Sequence, residues 1–321
     1  MNLILNDYLE NVGNTPMLHL EIEKPRDIDL YAKLEFCNPT GSVKDRAANH
    51  IIKKLLDRKE IDKDTTLIES SSGNFGIALA AYTKKFGLKF IAVIDPCINP
   101  INETLMKAYG ATVVKVDVPD CNGGYLLNRI AKVKELKGEI ENSYWVNQYG
   151  NPYNAEAYYK TLGLEICDSV DSLDYLFLGI SSGGTITGVS QKVKERFPNV
   201  KVIAVDIYGS VIFGNPARKR YIPGIGSSMV PDIIKQAKID DVVMVDEVAT
   251  IDMCHELLRN YNIFAGGSSG SVLAGIKKYF ATEKFPEPKT IATIFPDRGD
   301  RYATTVYDNQ WCENFRNLQN K

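Results

Sequence analysis

The 321 residues carry 44% apolar and 24% charged side chains with a formal net charge of −2, a globular balance in a chain too long for one economical core, so two bodies sharing a cleft are expected. No window reaches the ~18 apolar residues of a membrane span, and the small net charge gives no electrostatic reason to bind nucleic acid or an anionic membrane. Six cysteines (Cys37, Cys97, Cys121, Cys167, Cys254, Cys312) lie far apart with no C-x-x-C pair, beside three histidines (His19, His50, His255) in no partner motif, so neither a disulfide framework nor a metal site is indicated.

From the amino end, Met1 to Val12 carries Asn2, Asp7 and Glu10 where a secretory leader needs a basic stretch and an apolar run, so a cytoplasmic protein is expected. Short β-prone runs then alternate with longer helical stretches: Leu30 to Leu34, Leu67 to Glu69, Phe90 to Ile94, Thr112 to Val116, Tyr175 to Ile180, Val202 to Ile207, Val242 to Val245 and Thr290 to Phe295. The rhythm reads as α/β with parallel sheets, and the nearly continuous Val, Ile, Leu and Phe fits strands covered on both faces. The mixed charges of Lys53 to Glu60 read as a solvated helix face. Aromatic, Asn, Gly and Pro residues cluster from Tyr144 to Asn154, which predicts a division into residues 1–145 and 146–321.

The sequence offers no metal cluster and no nucleophile paired with a histidine base, so a borrowed organic cofactor is expected, docked at glycine-rich turns that end strands. Three such turns stand out. Asn38-Pro39-Thr40-Gly41-Ser42-Val43-Lys44-Asp45-Arg46 leads into a helix, with Ser42 and Asp45 spaced as an S-x-x-D cap. Lys44 then falls in the first helical turn, where the positive helix end lowers its pKa and suits it to Schiff-base chemistry; standing alone, the motif fits a solvated lysine beside a cap. Ser70-Ser71-Ser72-Gly73-Asn74-Phe75-Gly76 precedes the helix Ile77 to Lys84 and offers hydroxyl and N–H donors to a carboxylate, although spacing equally fits a polar cap. Ser181-Ser182-Gly183-Gly184-Thr185-Ile186-Thr187-Gly188 can cradle a phosphate, and it lacks the G-x-G-x-x-G pattern and the Walker lysine of a dinucleotide or ATP site.

These turns, with Val12 to Pro16, Pro223 to Gly226 and Gly266 to Gly270, resemble in order and spacing the cysteine synthase / cystathionine β-synthase family, fold-type II pyridoxal 5'-phosphate (PLP) enzymes, over nearly the whole chain. The resemblance implies two tryptophan synthase β-like α/β domains with PLP in the cleft, the opening residues to about position 35 crossing to the second body, and a homodimer. It makes Lys44 the residue that holds PLP and moves the α-proton. Asn74 becomes the partner of the PLP 3'-oxygen, and Ser71, Ser72, Gly73 and Asn74 the grip on the substrate carboxylate. Ser182, Gly183, Gly184 and Thr185 become the phosphate cup, and Ser268 the neutral hydroxyl facing the pyridine nitrogen, which leaves the ring a weaker electron sink. Two departures stand out: Phe75 replaces a threonine and is expected to narrow or dry the pocket, and Ser181 replaces the first glycine of the cup. Gly123-Gly124-Tyr125, Arg129 to Val133, Gly209 to Gly214 and Pro296 to Tyr302 resemble a divergent branch that includes siderophore-pathway synthases joining O-phosphoserine to glutamate and hydrogen-sulfide-producing cysteine lyases.

The activity so implied is β-replacement or β-elimination on L-cysteine or an O-substituted L-serine through an α-aminoacrylate. Arg129, Tyr149 and Arg218-Lys219-Arg220 are candidates for an acidic second substrate or a phosphate leaving group, against a reading as solvated loop residues. Asp232, after Pro231, is a candidate general base, against a reading as a plain helix-start carboxylate. With that base, cysteine could take up water to give serine and hydrogen sulfide, or an amine such as glutamate could add; an ionised sulfur nucleophile needs no base. A non-catalytic ligand-binding relative is the alternative of another class, opposed by the intact Lys44, Asn74 and Ser268.

Overall fold

The computed structural model of the chain describes residues 5–22, 28–120, 124–282 and 286–319; Asn2, Cys121 and Gly123 lie outside them. From the amino end the chain forms β1 (Met17–Leu20), β2 (Ile28–Leu34), α1 (Lys44–Asp57), β3 (Thr66–Ser70), α2 (Asn74–Phe86), β4 (Lys89–Ile94), α3 (Pro100–Ala108), β5 (Thr112–Lys115), α4 (Leu126–Glu139) and β6 (Ser143–Trp145). It continues through α5 (Pro152–Lys160), α6 (Leu162–Ser169), β7 (Tyr175–Gly179), α7 (Gly184–Arg196), β8 (Lys201–Ile207), β9 (Asp241–Val245), α8 (Glu247–Tyr261), α9 (Gly267–Tyr279), β10 (Lys289–Phe295) and α10 (Asn309–Gln319).

Two sheets result. One has the order β5-β4-β3-β6 and is parallel throughout; the other has the order β1-β2-β10-β7-β8-β9 and is parallel except for β1, which runs antiparallel to β2. All eight apolar runs read from the sequence are strands. β6 lies inside the segment read as a boundary and pairs with β3, Trp145 opposite Ile68. β5 departs from the expectation of cover on both faces: it is an edge strand whose two end residues are exposed.

Sequence period explains the layers. Every residue of β3 is buried, as a central parallel strand between helices requires. α1 turns Ala47, Ala48, Ile51, Ile52 and Leu55 to one side, and α1 packs on α2 and α5, which is the apolar stripe of a 3.6-residue repeat. Where α5 meets α7, the backbones approach so closely that a Cβ at Gly188 would stand 2.1 Å from the Ala155 carbonyl oxygen. Gly188→Ala should therefore destabilise the fold by about 1–3 kcal/mol despite the better helix propensity of alanine, read as a lowered urea midpoint; an unchanged midpoint would show that the two helices separate freely. No described helix is long and apolar enough to cross a membrane, and no group of three or more His, Cys, Asp or Glu that could hold a metal ion occurs among the described residues.

The parallel arrangement fixes where chemistry can sit. The turns after β3, β7 and β10 all leave the carboxyl ends of their strands, the edge at which open α/β sheets bind ligands.

Candidate active site

Lys44 is the first residue of α1. The cap that starts this helix differs from the expected box. Gly41 takes the left-handed conformation (φ 84), and the Asp45 carboxylate accepts from the Thr40 N–H and hydroxyl at 2.9 and 2.6 Å, while Ser42 Oγ accepts from Lys44 N–H at 3.3 Å. Lys44 Nζ lies 5.9 Å from the centre of the Tyr158 ring, and Tyr158 in turn sits beside Thr185. Burial pulls the Lys44 amine down to about 8, and the Asp297 carboxylate opposes that pull. Desolvation, not the helix dipole invoked from sequence, is the main cause.

The turn after β3 brings Ser71 to Asn74 to the start of α2. Ser71 Oγ accepts from Gly76 N–H at 3.0 Å, leaving its own hydrogen to donate elsewhere. Ser72 sits in a knot: its hydroxyl donates to Asp95 Oδ2 at 2.7 Å and accepts from Arg129 Nη1 at 2.6 Å, and Arg129 Nη1 stands 3.0 Å from the same Asp95 oxygen. Gly73 is the N-cap residue of α2, with open space where a Cβ would be. Asn74 Nδ2 donates to Asp297 Oδ2 at 2.7 Å. Phe75 is 3% exposed and belongs to the hydrophobic core, so its ring is packed in the apolar interior beneath the loop.

The turn after β7 holds Ser182, Gly183, Gly184 and Thr185 at the head of α7. Gly183 caps the helix with φ 86, a conformation that favours glycine, and a Cβ at Gly184 would stand 2.4 Å from the Asn154 side chain. Ser181 Oγ, in place of a glycine, donates to the Gly226 carbonyl at 3.1 Å. Ser268 is buried in the first turn of α9. Just before it, Gly266 accommodates Asp297, whose Oδ1 would be 1.9 Å from a Cβ at that position.

Of the basic candidates, Arg129 is held by Asp95 and Ser72, so its charge is already met by a carboxylate. Tyr149 lies within electrostatic reach of it: burial pushes the Tyr149 hydroxyl up to about 12, with Arg129 and Arg220 pulling down and Glu69 pushing up. Arg220 donates to the Gly209 carbonyl at 2.6 Å and to Ser228 Oγ at 3.1 Å, stitching the 209–228 loop, whereas Arg218 and Lys219 are exposed. Asp232 begins a 3-10 turn (Asp232–Gln236), is 79% exposed and pairs with Lys235 at 2.8 Å. Its neighbour Ile233 donates its N–H to the Tyr149 carbonyl at 3.1 Å and packs against Gly183, which sets Asp232 at the rim of the turn after β7.

Residues 8–297 match the family described as pyridoxal-phosphate dependent enzymes. The chain belongs to this family. Among solved structures, an O-acetylserine dependent cystathionine beta-synthase from Helicobacter pylori is 33% identical, with a TM-score of 0.89 over 96% of this chain and all of that one. A hydrogen sulfide-producing enzyme from Fusobacterium nucleatum is 28% identical, with a TM-score of 0.87 over 93% of this chain and all of that one. The D232N mutant of another hydrogen sulfide-producing enzyme, complexed with an alpha-aminoacrylate intermediate, is 32% identical, with a TM-score of 0.85 over 94% of this chain and 91% of that one.

The cofactor of this pyridoxal-phosphate dependent enzyme is PLP, and the side chains present fit it. A low-pKa amine suits the aldehyde. The open N–H groups at the head of α7, beside Thr185, suit the phosphate. Asn74 keeps a second amide hydrogen for a ring oxygen, and Ser268 Oγ makes no hydrogen bond to the described residues. Sequence reasoning missed Asp95, Asp297 and Tyr302. Asp95 directly follows the end of β4, where a carboxylate at a strand's carboxyl end was the available signal; Asp297 and Tyr302 stood inside the quoted Pro296 to Tyr302 run.

Proposed function

We propose that this chain replaces or eliminates the β-substituent of L-cysteine or an O-substituted L-serine, with Lys44 holding PLP and an ionised sulfur nucleophile as acceptor. The observation that carries this reading is the meeting of the Lys44 amine, Asn74 and the head of α7 across Tyr158, Thr185 and Asp297. The relatives that act on O-acetylserine or release hydrogen sulfide support the substrate class. Bound PLP supplies the electron sink that lets the α-proton and then the β-substituent leave. Lys44 Nζ takes that proton, Ser71 and the first N–H groups of α2 hold the substrate carboxylate, and the residues 182–185 hold the phosphate. Ser72 joins them when its single hydroxyl hydrogen turns from Asp95 to the substrate. The bodies 1–145 and 146–321 supply opposite walls of this cleft, the opening residues to about position 35 joining the second body, where β1 and β2 lie in its sheet.

Presenting L-cysteine, O-acetyl-L-serine and O-phospho-L-serine in turn, with sulfide, water or glutamate as acceptor, tests the reading by mass spectrometry of products. Thiol products from at least one donor are expected; turnover of none of the three donors overturns it.

The second reading, addition of water to give serine and hydrogen sulfide with Asp232 as base, draws on the aspartate-to-asparagine mutant of the relative bound to alpha-aminoacrylate. Against it stands the exposed, Lys235-paired carboxylate. If Asp232 is the base, Asp232→Asn should still release the leaving group but add water or an amine about 10²–10⁴-fold more slowly, with thiolate addition spared. Equal loss of both halves makes Asp232 structural, and loss of neither leaves it a surface residue.

A further inference from the structure

We propose that Asp297 is a positioning residue of the site: its carboxylate fixes the Asn74 amide and supplies the negative charge that keeps Lys44 an effective proton acceptor. This rests on the reading above for the reaction that it serves.

Asp297 follows the end of β10 and is 1% exposed. The backbone locks it from two sides. Ser42 pairs with Asp297 as an isolated antiparallel bridge, Val43 N–H donates to the Pro296 carbonyl at 2.8 Å, and Gly266 N–H donates to the Asp297 carbonyl at 2.9 Å. Asp297 thus lies across from the residues that lead into Lys44. Its Oδ2 accepts from Asn74 Nδ2 at 2.7 Å and from the Tyr302 hydroxyl at 2.9 Å, while its buried Oδ1 accepts nothing from the described residues. An ionised carboxylate has room for about four donors, so two bonds leave this one under-satisfied, and such a group in a native site calls for a reason.

Hydrogen bonding alone is a poor reason, because an asparagine oxygen at Oδ2 could accept the same two hydrogens. What asparagine lacks is the charge. Burial pushes the Asp297 carboxyl up, Arg301, Asn74 and Tyr302 hold it down, and Asp300 adds to the rise; among the described residues Cys254 and Tyr307 also face Asp297, while Asp45 adjoins Lys44 on α1 and the Tyr158 ring lies beside it. Burial disfavours an ammonium at Lys44, and Asp297 is the charge that opposes this. When a proton passes from the substrate Cα to Lys44 Nζ, the Cα–H bond breaks and an ammonium forms; a fixed carboxylate nearby stabilises that product and strengthens the base.

Asp297→Asn isolates the charge. Two readouts should move in opposite senses. In the cofactor-free full chain, competitive acetylation of Lys44 followed across pH by peptide mass spectrometry should show its midpoint moving below the wild-type value of about 8, so labelling at pH 7 rises. In the holoenzyme, exchange of the substrate α-proton into deuterated solvent should slow about tenfold, with KM little changed. Tyr302→Phe, which removes a bond to Oδ2 and keeps the charge, should leave the acetylation midpoint in place. Asp297→Ser provides the same measurement should the asparagine variant fold poorly by circular dichroism. A midpoint that stays or rises in a folded Asp297→Asn or Asp297→Ser variant overturns the proposal. Because acetylation is read without substrate or cofactor, that failure is distinct from a failure of the proposed reaction.

Discussion

Lys44→Ala should abolish turnover, by about 10³-fold or more, and release the cofactor from its covalent hold. The size of the effect follows from two roles in one amine. An ordinary lysine near pKa 10.4 is neutral in only about one molecule in 2,500 at pH 7, whereas a group at about 8 is neutral in about one in ten. The half-buried position beside Tyr158 therefore favours the neutral amine at neutral pH, and in the proposed reaction the same nitrogen later carries the α-proton. Activity limited by the neutral amine should rise with pH through about 8 and level off above it. Borohydride reduction of the wild-type holoenzyme should leave the cofactor mass on the peptide containing Lys44, and the variant should retain none. Label on a different lysine, or a wild type that stays colourless after incubation with PLP, would refute the assignment.

The fold and part of the site were legible in the sequence, for physical reasons that also explain the gaps. Eight strands announced themselves as runs rich in Val, Ile, Leu and Phe, which central parallel strands buried on both faces need, although β5 carries such a run at an exposed edge. β1 and β6 did not: they are four and three residues long and mostly half-buried, and pairing with β2 and β3 makes them strands. That Lys44, Asn74 and Ser182 to Thr185 stand at helix heads was legible because each sits in a glycine- or serine-rich turn, whereas the roles expected of them, and Ser268 itself, came from the resemblance. Asp297 and Asp95 were not, since an isolated carboxylate has no local signature. The partner that gives Asp297 meaning, Asn74, is 223 residues away, and Asp95 meets Arg129 only when β4 and α4 come together. The exposure of Asp232 was equally hidden, because the 3-10 turn after Pro231 aims it outward.

Arg46→Met should cost about 3–5 kcal/mol of stability, the usual result of removing one partner from a buried ion network. Arg46 binds Glu35 through Nε and Nη2 at 2.7 and 2.8 Å, and Glu165 through Nη1 and Nη2 at 2.6 and 2.8 Å. Glu35 is fully buried and Glu165 half-buried. Lys33 adds a bond to Glu165 at 2.8 Å and one to the Thr15 carbonyl, and Asn14 N–H reaches Glu165 at 3.0 Å. The network thus ties residues 14–15, the end of β2, the head of α1 and α6 together, two residues from Lys44. Without the guanidinium, Glu35 and Glu165 face each other with Lys33 as the remaining cation of the group, so the urea midpoint should fall sharply. A second change, Glu165→Gln, should cost less in the Arg46→Met background than in the wild type, because the repulsion it relieves is then present. Acid gives an independent check. Burial would raise the Glu165 carboxyl, but the Arg46, Lys33 and Asn14 contacts outweigh it and hold it at about 2, against an ordinary value of 4.5. A depressed carboxyl contributes stability that is fully present above about 4.5 and is lost as pH falls towards 2. Wild-type stability should decline across that window, and Arg46→Met should decline less steeply because most of what acid removes is already gone. A loss below about 1 kcal/mol with parallel acid profiles would show that these charges behave like solvated surface pairs.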